Sequence, residues 1–285
     1  MIPPVFVIGA SGRSGVALCR AFLAAGVPYV PVVRSLARWA ATGLPGAPRL
    51  LDLLAPHPEA LVGAQRIVNC AHARHAGAIL RISPAGMHVF LGSTRRYSRW
   101  PDAHGDGVQA GEAAFLADGR PGIMLHPTMV YGAAGEDNVQ RLAALLRRLP
   151  IVPLPGGGQS LVQPIHQSDL TRCILAALDH GLAQPVVLTI AGPKPLPYAA
   201  FVRAIAHAAG QRPPRIVPLP AIVLRALAPL TALPGLPRIG ADEIRRLLED
   251  KAFDITRMRS MLGVEPMPLE AGLALTFQEL AHARP

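Results

Sequence analysis

The segment GASGRSG, Gly9 to Gly15, limits what this chain can fold into more than any other part of it. It follows a short apolar run, Val5 to Ile8, and precedes Val16, Leu18, Cys19, Phe22 and Leu23, which recur at helical spacing. Strand, glycine turn and helix therefore follow one another. Glycine permits the tight turn and lets backbone N–H groups come close to a ligand, and a helix beginning near Gly12 points its partial positive end at the same place. Glycines alone would also suit an ordinary turn. Their position between strand and helix favours a cradle for a dinucleotide pyrophosphate, with Gly9, Ser11, Gly12, Arg13, Ser14 and Gly15 as its contacts.

The rest of the chain repeats the unit. Strands are predicted at Tyr29 to Val33, Arg49 to Leu51, Arg66 to Asn69, His88 to Leu91 and Gly122 to Leu125, separated by alanine- and leucine-rich stretches long enough for helices. Pro31 places the second of these towards an edge. A helix over Val139 to Leu149 leads to a Pro/Gly loop, Pro153 to Gly158. Leu161 to Ile165, a helix over Ser168 to Leu178 and a strand over Val186 to Ile190 are expected to return to the sheet. The expected fold class is α/β: a Rossmann-type, doubly wound parallel sheet with a small, mostly helical C-terminal lobe. Residues 1–192 form the dinucleotide domain, with a lobe insertion near 133–160, and residues 193–285 form the substrate lobe.

Composition agrees: 285 residues, 51% of them hydrophobic, support one large α/β core with a lobe. Cys19, Cys70 and Cys173 lie far apart without metal-ligand spacing, read as reduced core residues, and point to a cytoplasmic location with no metal site. The start of the chain does not read as a signal peptide, and no apolar run reaches spanning length. The apolar, proline-broken stretch 216–239 reads as a short amphipathic helix with loops, lining a cleft or touching a membrane surface. A formal charge of +10 favours anionic ligands, but the arginines are scattered and aromatics make up only 5% of the chain, so nucleic acid is not the expected partner.

The residue closing the second strand usually selects the cofactor. A carboxylate there suits the ribose hydroxyls of NAD and repels a 2′-phosphate, whereas here it is Arg34, with Arg13 in the glycine turn as a second guanidinium. NADP(H) is expected over NAD(H). Two exposed arginines in an arginine-rich chain are the alternative.

These motifs resemble those of the extended and atypical short-chain dehydrogenases/reductases, including the NAD-dependent epimerase/dehydratase group, over most of the chain. The resemblance implies that Asp52 contacts the adenine and that Cys70, Ala71 and His72, within NCAHA, contact the cofactor. It places Ser93, in GSTRRY, at the catalytic Ser/Thr. HPTMVYG resembles RPxxVYG beside the nicotinamide and brings His126, Pro127, Thr128 and Val130 to the cofactor, with histidine in place of arginine. In PIHQSDL, Asp169 reads as a structural residue at a helix start.

The departure is the YxxxK pair, which transfers the proton in that family. The only lysines are Lys194 and Lys251, and four residues before them stand Ile190 and Leu247. With Glu112 as the family's glutamate, the tyrosine position falls on His104 and the lysine position on Val108. His104 is one candidate acid, although PDAHGDG reads equally as an exposed loop, and Tyr97 beside Arg95 and Arg96 is another. Arg95, Arg96, Trp100 and His166 are expected to meet a small substrate with an anionic or aromatic group, and covering the end of the sheet is the equal alternative for Arg95, Arg96 and Trp100. Three functions follow: an NADP(H)-dependent oxidoreductase of a small carbonyl or alcohol, a catalytically silent NADP(H) sensor or assembly protein, and a nucleotide-sugar epimerase or dehydratase. A monomer or homodimer suits each.

Overall fold

The computed structural model describes residues 3–132, 138–220, 222–223 and 245–282. Short apolar runs flanked by glycine and polar residues form the strands of a seven-stranded sheet. They are β1 (Val5–Ile8), β2 (Tyr29–Val33), β3 (Arg49–Leu50), β4 (Arg66–Asn69), β5 (Met87–Leu91), β6 (Gly122–Pro127) and, much later in the chain, a strand over Pro185–Ile190. The spatial order is that last strand, then β6-β5-β4-β1-β2-β3, and every adjacent pair runs parallel. The chain leaves β1 for β2 on one side and later crosses to β4 on the other. A crevice therefore opens beyond the carboxyl ends of β1 and β4, where doubly wound sheets bind ligands. Pro31 is tolerated because β3 pairs only with Val32 and Val33, so at Pro31 the outer side of β2 has no ladder to interrupt.

Alternating side chains feed two cores. Val5, Val7, Val68, Val89 and Ile123 face one side, packed by α1 (Arg13–Ala24) through Leu18 and Phe22. Phe6, Ile8, Ile67, Phe90 and Met124 face the other, packed by α3 (Ala76–Ile82), which follows the short α2 (Leu36–Ala40), and by α4 (Ala103–Asp118). Burying each of these large side chains stabilises the fold by roughly 1.5–3 kcal/mol.

After β7 (Val130–Tyr131) the chain builds a lobe from α5 (Asn138–Leu146), β8 (Ile151–Pro155) and β9 (Leu161–Val162). Then β10 (Ile165–His166) and α6 (Gln167–Asp179) lead to the returning sheet strand, β11 (Pro185–Ile190). The lobe is completed by β12 (Leu196–Pro197), α7 (Tyr198–Ala208), β13 (Arg215–Leu219) and α9 (Leu269–His282), with Val139, Leu154, Phe201, Ile205 and Leu273 in its core. The intervening α8 (Thr256–Leu262) instead packs Met258 and Leu262 onto the α6 side of the sheet. The chain thus crosses between core and lobe more than once.

Three expectations are corrected. Pro153 to Pro155 is not loop but part of β8, which pairs parallel with β13; a two-stranded ribbon leaves outer edges where prolines need donate to no ladder. Ile216 to Leu219 is accordingly strand rather than amphipathic helix, and the remainder of that expected helix falls largely outside the described residues. Leu161 to Ile165 does not join the main sheet: β9 pairs with β12, and β10 pairs with β7. Among the described residues, no helix is long and apolar enough to cross a membrane.

Candidate functional site

Three adjoining cavities run across the carboxyl ends of the strands. The first, about 460 Å³, is lined by Gly9, Ser11, Gly12, Arg34, Arg38, Asp52 and Arg74. The second, about 390 Å³, shares Cys70, Ala71 and His72 with it and adds Arg13, Ser14, Gly92, His104, Pro127 and Val130. The third, about 570 Å³, lies between sheet and lobe and is lined by Ser93, Arg95, Tyr97, Thr128, Phe201, Lys251 and Phe253, among others.

The glycine spacing has a steric cause. Gly9 sits at φ +76°, where a side chain is strained, and a Cβ there would lie 2.9 Å from the Ala71 nitrogen. A Cβ on Gly15 would overlap the Gly9 carbonyl oxygen, so glycine is what lets α1 start directly against the turn. Gly12 is the N-cap of α1 and supplies no side-chain cap to the first-turn amides. This cradle, with Arg34 and Arg38 exposed at the far end, fits the phosphates of a dinucleotide. Ser14 has a packing role as well, donating from Oγ to Gln167 Oε1 at 3.1 Å to tie α1 to α6.

His104 is not in a loop. Asp102 caps α4 by accepting the Gly105 N–H at 2.8 Å, which places His104 in the first turn, facing the second cavity. Its Nδ1 lies 3.2 Å from Nε2 of His72, and Gly107 leaves room for the partner ring, since a Cβ there would be 2.9 Å from His72 Cε1. The Arg74 N–H donates to His72 Nδ1 at 3.1 Å. His72 must therefore carry its proton on Nε2 and donate it to His104 Nδ1, which leaves His104 with an Nε2–H. Burial, then the proximity of His104, pushes His72 down to about 4; burial and Arg95 lower His104. Both rings are neutral at pH 7, so His104 is a hydrogen-bond donor there and not the half-ionised acid its unperturbed value suggests.

His126 lies beneath the cleft rather than in it. It is fully buried, accepts the Ser93 N–H on Nδ1 at 3.0 Å, and so donates from Nε2 to Glu112 Oε2 at 2.7 Å. Arg96 joins the same carboxylate at 2.9 Å and lies over the Tyr97 ring at 4.8 Å. Arg96 and His126 thus brace the Ser93–Tyr97 turn, where sequence reasoning had placed a substrate contact and a cofactor contact. Ser93 Oγ in turn accepts the Arg95 N–H at 3.2 Å.

In the third cavity, Arg95 pairs with Asp102, and the Tyr97 hydroxyl lies 3.3 Å from Thr189 Oγ1. Trp100 is 45% exposed, packs under Arg245 and does not line this cavity. Nor does His166, which is buried and caps α6 through the Ser168 N–H. Asp169 is structural as expected: it pairs with Arg172 and accepts the Met267 N–H at 2.9 Å. The sequence reading missed Lys251, Arg246 and Phe253; the only signal was a lysine's rarity among 28 basic residues. Cys19 and Cys173 are buried, with thiols pushed up to about 12, and no metal-binding group occurs among the described residues.

No protein-family model and no curated protein sequence matches the chain. Solved structures match it along nearly its whole length. MoeE5, solved in complex with UDP-glucuronic acid and NAD, aligns with a TM-score of 0.73 at 20% identity, over 99% of this chain and 100% of its own. The UDP-glucuronic acid 4-epimerase of Bacillus cereus gives 0.73 at 14% identity, over 99% and 100%. The chain has their fold. A short-chain dehydrogenase/reductase superfamily protein from Agrobacterium tumefaciens with bound NAD shares it too, with a TM-score of 0.70 at 15% identity, over 98% of each chain. The architecture expected from GASGRSG and the strands around it is therefore the architecture found.

Proposed function

We propose that this chain is an atypical short-chain dehydrogenase/reductase that binds NADP(H) and reduces a small carbonyl compound, or oxidises the corresponding alcohol. The observation carrying this reading is the run of cavities from Arg34 and Arg38, past the glycine turn, to Ser93. The MoeE5 and Agrobacterium structures hold NAD; the argument for NADP(H) here is that Arg34 directly follows β2, with Arg38 and Arg74 lining the same cavity, and guanidinium groups suit a 2′-phosphate. Asp52 faces that cavity for the adenosine, while Cys70, Ala71, His72, Pro127 and Val130 line the path onward.

A bound nicotinamide supplies or accepts the hydride. The chain's part is to orient the substrate. Ser93, held from below by His126, offers a hydroxyl to the carbonyl oxygen, and the His104 Nε2–H is a neutral donor on the adjoining cavity wall. Arg95, paired with Asp102, lines the substrate cavity and has further N–H donors for an anionic group.

The test is NADPH oxidation across a panel of small aldehydes, ketones and keto acids. Turnover with one class, reduced about 100- to 1000-fold by Ser93→Ala, supports the reading; tight NADPH binding with no turnover supports the silent sensor instead. That second reading is favoured by the neutral His104 and by Val108, buried in the core at the lysine position. A nucleotide-sugar reaction is the third reading, resting on the likeness to the Bacillus cereus epimerase, and UDP-sugars belong in the same panel.

A further inference from the structure

We propose that Lys251 is the proton donor of the Ser93 cavity, a catalytic residue supplied by the C-terminal part of the chain in place of the missing tyrosine and lysine. This rests on the oxidoreductase reading above. The ionisable side chains described around the cavity narrow the choice. Arg95 and Arg246 keep their protons. Glu249 already accepts from Ser98 Oγ at 2.8 Å and the Arg99 N–H at 2.6 Å, and Asp250 accepts the Leu161 N–H at 2.8 Å, so both are occupied acceptors. Tyr97 turns its hydroxyl to Thr189, and Tyr198 packs against Phe201 in the lobe. His104 lines the adjoining cavity instead, where its Nδ1 is taken up by His72 and burial and Arg95 lower it.

Lys251 is held in place by the backbone around it. Its N–H donates to the Leu161 carbonyl at 2.8 Å, and two residues on the Phe253 N–H donates to Gln163 Oε1 at 2.7 Å. Phe253 then meets the Tyr97 ring at 5.9 Å between centroids. Nζ donates to the Arg246 carbonyl at 3.1 Å, which uses one of three ammonium hydrogens. Burial holds the ammonium below the ordinary lysine value; Glu249 opposes the shift, and Arg246 and Arg95 add to it. An ammonium so placed gives up its proton more readily than one in water.

In the step, the carbonyl carbon gains a hydride and the carbonyl oxygen takes a proton from Nζ. The C=O becomes CH–OH and Lys251 is left as a neutral amine, which solvent reprotonates. Oxidation of the alcohol runs the same transfer in reverse, with the amine as base.

Having only two lysines makes the test clean. The full chain is acylated briefly with acetic anhydride across a pH series, and labelling is read by peptide mass spectrometry with exposed Lys194 as internal reference. The labelling midpoint of Lys251 is expected below that of Lys194. Lys251→Met and Lys251→Arg are both expected to bind NADPH like the wild type and to lose about 100-fold in carbonyl reduction. Coincident midpoints, or a Lys251→Arg variant that keeps its activity, would overturn the proposal. A wild-type chain that binds no NADPH defeats the oxidoreductase reading itself, which shows before any lysine is changed.

Discussion

His72 and His104 share one hydrogen bond, 3.2 Å long, whose direction is dictated by a backbone N–H on the far side of His72. Because the Arg74 amide cannot accept, the proton on His72 has only one place to be. Replacing His72 by alanine frees Nδ1 of His104 to take a proton. The His104 titration followed by NMR is expected to move up towards the ordinary histidine range, and its neutral form is expected to lose the single Nε2–H tautomer signature. An unchanged titration would mean that burial and Arg95 alone set the state of the ring.

Stability should fall on acidification below neutrality. His88 is fully buried, hydrogen-bonded to Ser83 at 2.9 Å, and pushed by burial down to about 4. A folded value below the unfolded one means that the unfolded chain binds the proton first, so stability is full above about pH 6.5 and is lost as pH falls towards 4. At about 1.4 kcal/mol per unit, His88 contributes on the order of 3 kcal/mol to that loss. Urea unfolding of wild type and His88→Phe between pH 7 and 4 checks this: the variant should show the shallower decline.

The carboxylate of Glu112 links His126 and Arg96 beneath the cleft. Glu112→Ala strands a buried imidazole N–H and is expected to cost about 1–3 kcal/mol in urea unfolding. Glu112→Gln, which keeps an acceptor for His126, should recover part of that loss, whereas equal costs for the two variants would deny the hydrogen bond its role.

Gly15→Ala forces a methyl group into the Gly9 carbonyl. It is expected to lower the melting temperature and abolish dinucleotide binding together, whereas Gly26→Ala, at a turn whose added Cβ meets nothing within 4 Å, should leave binding intact. Binding retained in Gly15→Ala would show that the turn is not the phosphate cradle.

The parts of this fold that were legible are those whose burial is local. Tyr29 to Val33 and Arg66 to Asn69 were bounded correctly because a parallel strand buried on both faces reads as an apolar run with polar punctuation. β8 and β13 were not, since their prolines argue against strands everywhere except at a ribbon's free edge. His126 was assigned to the cofactor from its place in HPTMVYG; its partner Glu112 sits on α4, and only the packing of that helix against β6 brings them together. Lys251 carried no motif at all. It becomes visible as a site residue only when the chain folds back along Leu161 and Gln163.

The most direct test of the account is calorimetric titration of the chain with NADPH and NADH, repeated with Arg34→Ala. Charge-assisted bonds to a phosphate contribute about 1.5–3 kcal/mol, so NADPH should bind roughly 10- to 100-fold more tightly than NADH and lose that margin in the variant. Equal binding of the two nucleotides that Arg34→Ala leaves untouched would contradict the NADP(H) assignment, and binding of neither would remove the dinucleotide cleft on which the whole account stands.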